Sequence, residues 1–191
     1  MENKSFENIN REKQESWQKM LNRVERMADG LGKGVDPGIK EMVAVLNCME
    51  LTTDGSCEGH LHNRSKAPWI HFEFIPVPLK QEIRRARLNL GQGEKTSPQL
   101  DALLEEAKLK LLRGQARMVD LLDKFYSGRR ASAEARLGIA FYPDSARLES
   151  QGADLQELYS PEMQAKKLRA YQEEMGAFTE FLKTNFFSEN D

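Results

Sequence analysis

Trp69-Ile70-His71-Phe72-Glu73-Phe74-Ile75 alternates apolar and polar side chains with a period of two, the signature of a half-buried β-strand. Ile70, Phe72 and Phe74 fall on one face, and Trp69, His71 and Glu73 on the other. The first face reads as core, which leaves the second for solvent or a cleft. Pro76 and Pro78 stop the strand, because proline cannot donate to a ladder.

Around this strand most of the chain has helical periodicity. Trp17, Met20, Leu21, Val24, Met27 and Leu31 recur at three and four spacing, so a first amphipathic helix is expected over residues 6–28, ended by Asp29-Gly30. The glycine-rich stretch 30–38 follows a helix and lacks the Gly-x4-Gly-Lys-Ser/Thr spacing of a phosphate loop, so it reads as a plain loop. Asp36 and Pro37 suit the cap and first turn of a second helix running to Asn47 and burying Ile39, Val43 and Leu46. Residues 51–57 read as a short Thr-rich strand or turn. Residues 79–90 form a short basic helix with Lys80, Arg84, Arg85 and Arg87.

Ser97 and Pro98 open a long helix to Tyr126, striped by Leu100, Leu104, Ala107, Leu111, Met118, Leu122 and Phe125. Gly114 lies within the stripe and marks a tight crossing or a kink. Residues 136–142 alternate again, with Leu137, Ile139 and Phe141 on one face. A last amphipathic helix over 161–187 carries Leu168, Tyr171, Met175, Phe178 and Leu182. Helices and short strands in non-alternating order predict an α+β fold, with about five helices on a small, mainly antiparallel sheet of about three strands. The 191 residues contain no low-complexity linker, so a single domain is expected.

Composition narrows the setting. The chain is 39% hydrophobic and 30% charged, with mean hydropathy -0.65, and has no apolar run long enough to cross a membrane. Its start is charged and lacks the apolar stretch of a secretory signal. Two cysteines are too few for a disulfide framework. A reduced, cytoplasmic setting is therefore expected. The net charge of -2 hides an asymmetry: residues 80–136 carry 13 Lys/Arg against 8 Asp/Glu, whereas residues 144–191 carry 5 against 10. The two halves can attract each other, or the basic face, including Arg113 and Arg117, can receive a nucleic acid.

Chemistry concentrates between positions 57 and 71, which hold all three histidines and one of the two cysteines. Three readings compete there. Cys57, His60, His62 and His71 are ligand types that zinc favours, although Cys-x2-His-x-His is not a usual structural zinc spacing. Cys57 is alternatively a nucleophile activated by His60, His62 or His71. In the third reading Thr53, Ser56, Glu58, Gly59 and His60 shape a pocket for a small polar ligand, with Trp69, His71 and Glu73 as its wall. The plainest alternative is a polar loop whose histidines do no chemistry. A non-catalytic interaction protein, a homodimer joined through the long helical stripes, is the competing functional class.

Asp36-Pro37, Leu46-Asn47, Thr52-Thr53, Ser56-Cys57-Glu58-Gly59-His60 and Pro68-Trp69 together resemble a pattern in uncharacterised bacterial proteins, which names no activity. The loop also resembles the Thr-Thr-Ser-Ser-Cys-Ser-Gly-Arg motif of the tRNA wybutosine-synthesis methyltransferases. That resemblance implies an S-adenosylmethionine cofactor and an RNA substrate. Thr52, Thr53, Ser56, Cys57 and Gly59 match the motif; one extra residue separates the threonines from the serine, and His60 replaces the arginine. The resemblance covers residues 35–74.

Overall fold

A computed structural model describes residues 2–62, 66–91 and 93–188, with side chains from residue 11 onward; the expected domain's residues 1, 63–65, 92 and 189–191 lie outside that description. The described residues form an α+β fold. Five α-helices, α1 (Glu2–Val24), α2 (Lys40–Cys48), α3 (Val77–Leu88), α4 (Pro98–Ser127) and α5 (Pro161–Ser188), accompany four strands: β1 (Thr52–Cys57), β2 (Trp69–Glu73), β3 (Leu137–Phe141) and β4 (Ser145–Ser150). The strands make one antiparallel sheet in the order β1-β2-β4-β3. No described helix is long and apolar enough to cross a membrane.

The alternation of β2 fixes the layers. Ile70 and Phe72 are fully buried, and their register partners on β4, Leu148 and Ala146, are fully buried beside them. Leu137 of β3 continues this face, which joins a core with Met42, Val43 and Leu46 of α2, Met118 and Leu121 of α4, and Met175, Phe178 and Leu182 of α5. Trp69, His71, Glu73, Arg147 and Glu149 point the other way and stay partly exposed. The helices of this core cover one face of the sheet and leave the other open.

The expected helical stripes serve mostly the chain's own core, while Leu104 of the expected α4 stripe is exposed. Leu168, Tyr171, Met175, Phe178 and Leu182 of α5 are all buried, as are Leu100, Ala107, Met118 and Phe125 of α4. Ser97 caps α4, its hydroxyl accepting the Leu100 N–H at 3.2 Å. Gly114 marks a tight crossing: a Cβ there would run into the Phe74 ring. Leu79, Ile83 and Ala86 of α3 pack with Leu100 and Ala107 of α4 in a small cluster separate from the main core.

Two local expectations differ from the fold, the end of α1 and the number of strands. Helix α1 stops at Val24, so Leu31 falls outside its stripe and is exposed. The following glycine-rich stretch is a loop closed by an antiparallel bridge between Ala28 and Gly34, and the Asp29 carboxylate accepts the Leu31 and Lys33 N–H groups at 2.9 and 2.8 Å. Among the described residues the sheet has four strands where about three were expected. Its extra strand, β4, pairs with both β2 and β3 and is central.

A buried polar network ties α4, α5 and β3 together. Tyr126 Oη accepts the Leu137 N–H at 2.7 Å, and Glu174, which is 4% exposed, receives Arg129 Nε and Nη2 at 3.1 and 2.7 Å. Arg129–Glu174 also joins the basic middle of the chain to its acidic tail, as does Lys80 Nζ on Asp144 Oδ2 at 2.6 Å.

Candidate functional site

The site begins at the turn where β1 ends. Gly59 has φ +82°, and a Cβ there would lie 2.7 Å from Leu168 Cδ1 and 2.8 and 2.9 Å from the backbone of Ala67 and Pro68. Only glycine fits that conformation and that space. The turn brings the Gly59 N–H to within 3.4 Å of Cys57 Sγ, and His60 returns beside Asp36. Glu58 stitches this turn to the 36–38 segment, its Oε2 accepting the Gly38 N–H at 2.6 Å while its own N–H donates to Asp36 Oδ2 at 3.3 Å. Its carbonyl accepts Gln172 Nε2 of α5 at 3.0 Å.

Asp36 is the residue that sequence reasoning placed in another role. It precedes a 3₁₀ turn over Pro37–Ile39, but its side chain makes no capping hydrogen bond. Its carboxylate instead turns toward the Cys57–His60 loop, 3.0 Å from His60 Nε2 and 3.1 Å from Lys33 Nζ, and is only 9% exposed. Burial pushes its carboxyl group up. His60, Lys33 and the Glu58 N–H outweigh burial and hold it at about 2. Asp36, Cys57 and His60 each offer one ligating atom, and these atoms all lie within 4.8 Å of one another.

Of the four residues expected as metal ligands, two come together. Cys57 and His60 converge with Asp36, whereas His62 is exposed and His71 is taken by a different carboxylate, its Nδ1 lying 2.5 Å from Asp54 Oδ1. Burial pushes the Cys57 thiol up and the Asp36 carboxylate adds to that, with the Gly59 N–H and the Lys33 ammonium opposing.

The remaining candidates divide by role. Thr53 Oγ1 accepts Asn47 Nδ2 at 2.7 Å, a contact that locks β1 to the end of α2. Glu73 receives Lys80 Nζ at 2.9 Å, in an ion pair that anchors α3 to β2. Ser56 and Trp69 line a cavity of about 350 Å³ together with Asp29, Lys33, Asp36 and Asp54. Trp69 lies across Gly55, where a Cβ would stand 3.2 Å from the ring, and Arg147 stacks on it at 4.5 Å. No known protein family, curated protein or solved structure matches the chain.

Proposed function

We propose that the protein is a metal-dependent enzyme that holds a zinc-class divalent cation on Asp36, Cys57 and His60 and presents it to a small polar ligand in the adjoining cavity. The convergence of a carboxylate, a thiol and an imidazole within 4.8 Å carries this reading. Three protein ligands with a position left for water or substrate is the usual composition of a catalytic zinc site. Asp36 belongs to the triad and lines the cavity, so a cation held there sits at the cavity's edge.

The protein's own groups would supply the rest. Gly59 and Glu58 fix the loop that carries two of the ligands, and Glu58 donates its N–H to the third. When bound, the cation would polarise a ligand oxygen or acidify a bound water. The cavity lining of Asp29, Asp36 and Asp54 against Lys33 favours a cation over a bare phosphate group. This balance supports the metal reading over an RNA substrate.

The test is metal titration of tag-free protein after chelator treatment. One equivalent of zinc should bind, and cobalt(II) should give a thiolate-to-metal charge-transfer band that Cys57→Ser removes. Zinc uptake equal in wild type and in Asp36→Asn/His60→Ala protein would sink the proposal.

A further inference from the structure

We propose that Asp54 and His71 form a proton-transfer dyad serving a second cavity on the open face of the sheet, for a neutral or cationic ligand with a planar part. The dyad shares no residue with the metal triad, although Asp54 borders both cavities. It originates in a β-bulge: Thr53 pairs with Phe72 and Gly55 pairs with His71, leaving Asp54 as the extra residue of β1. Bulges re-aim a side chain, and this one directs a carboxylate at His71 Nδ1 at 2.5 Å.

A carboxylate on Nδ1 accepts a hydrogen bond from the proton of that nitrogen, which leaves Nε2 as the acceptor of the neutral ring. Among the described residues no hydrogen-bond partner meets Nε2. His71 lines a cavity of about 370 Å³ with Asp54, Gly55, Trp69, Tyr142 and Arg147. The His71 and Tyr142 rings stand 5.8 Å apart at 51°, and His71, Trp69 and Arg147 all rise from paired strands, which holds the wall rigid.

The charges select the ligand. Arg147 is the cavity's guanidinium, and its Nε and Nη2 are engaged by Glu149 Oε2 at 2.9 and 2.7 Å while its plane covers Trp69. The Asp54 carboxylate dominates what remains, which disfavours phosphates and carboxylates and favours a neutral or cationic group. In the step, an O–H or N–H of the ligand transfers its proton to His71 Nε2. The bonding pair stays on the ligand atom, and the imidazolium is stabilised by Asp54. His71 is the catalytic residue, and Asp54 is its positioning residue.

Diethyl pyrocarbonate, which acylates unprotonated imidazole nitrogen, reads this out by peptide mass spectrometry on the intact chain after chelator treatment. His71 is expected to react faster than the exposed His62 although it is only 27% exposed itself. Asp54→Asn should slow His71 by about tenfold with an unchanged melting temperature; Asp54→Ser is the second variant should the first not fold. A His71 rate no faster than that of His62, or a rate indifferent to both substitutions, overturns the dyad. Benzamidine should protect His71 and benzoate should not; equal protection by both, or none by benzamidine, overturns the ligand class. Added zinc separates the two proposals, since it should protect His60 and leave His71 reactive. An unprotected His60 beside a fast His71 removes the metal reading alone.

Discussion

A side chain at position 59 would have to adopt φ +82° and push Leu168 and the Ala67–Pro68 backbone aside. Gly59→Ala should therefore cost about 2–3 kcal/mol in denaturant unfolding, and weaken the proposed zinc binding further than stability alone explains, because the turn carries Cys57 and His60. The Gly in Ser-Cys-x-Gly-His was legible as part of a motif. Its physical reason was not, since the close approach comes from α5, more than one hundred residues away. Asp36 shows the converse problem. Asp before Pro is so good a helix cap that the local reading absorbed it, and only the folded chain shows its carboxylate facing Glu58 and His60. Asp54 was hidden in the same way, because Asp-Gly reads as a turn and here it is a bulge inside a strand.

Tyr126 and Tyr171 give the residue-scale pH dependence. Burial is the main cause that pushes both phenols up to about 12 from an ordinary 10, with Glu174 adding at Tyr126 and Glu134 at Tyr171. The unfolded chain then ionises first. Stability is complete below pH 10 and falls as pH rises toward 12, by up to about 2.5 kcal/mol per tyrosine. Tyr126→Phe should roughly halve that alkaline decline, Tyr171 keeping its share, while costing about 1–2 kcal/mol at neutral pH because the Leu137 N–H loses its acceptor. Urea unfolding at a series of alkaline pH values checks both parts.

Among the elements, β2 was legible and β4 was not, although the two are paired along their whole length. Strand β2 alternates large aromatic and β-branched side chains, whereas β4 offers only Ala146 and Leu148 to the core, too little for a pattern to stand out. What defines β4 is its two neighbours. The junction of α4, α5 and β3 is likewise a tertiary fact: Arg129 neutralises a Glu174 that the sequence places on an ordinary amphipathic helix. Arg129→Ala should destabilise the protein by about 2 kcal/mol, because the partly exposed arginine leaves a buried carboxylate behind. Adding Glu174→Gln to that variant should recover part of the loss in denaturant unfolding. Gly114→Ala is expected to destabilise despite alanine's better helix propensity, since the new methyl meets Phe74.

For the whole molecule, the separation of the α3 cluster from the main core predicts two levels of opening. Helix α3 and the first turns of α4 hold Leu79, Ile83, Ala86, Leu100 and Ala107 to themselves, whereas α2 is surrounded by the main core. In hydrogen exchange the amides of α3 should open at lower free energy than those of α2, and Ile83→Ala should widen the gap. Equal protection of the two helices would refute this division.

The open face of the sheet has a further consequence. Backbone bonds on both sides of β2 and β4 hold Trp69, His71, Arg147 and Glu149 in place, yet none of these side chains fills the core. The scaffold can therefore be rewritten on that face without being rebuilt. A combinatorial library over these four positions should retain cooperative folding in most members, while a single Phe72→Ala on the opposite face costs about 3–5 kcal/mol. The side chains on that face can thus be changed at far smaller cost than those facing the core.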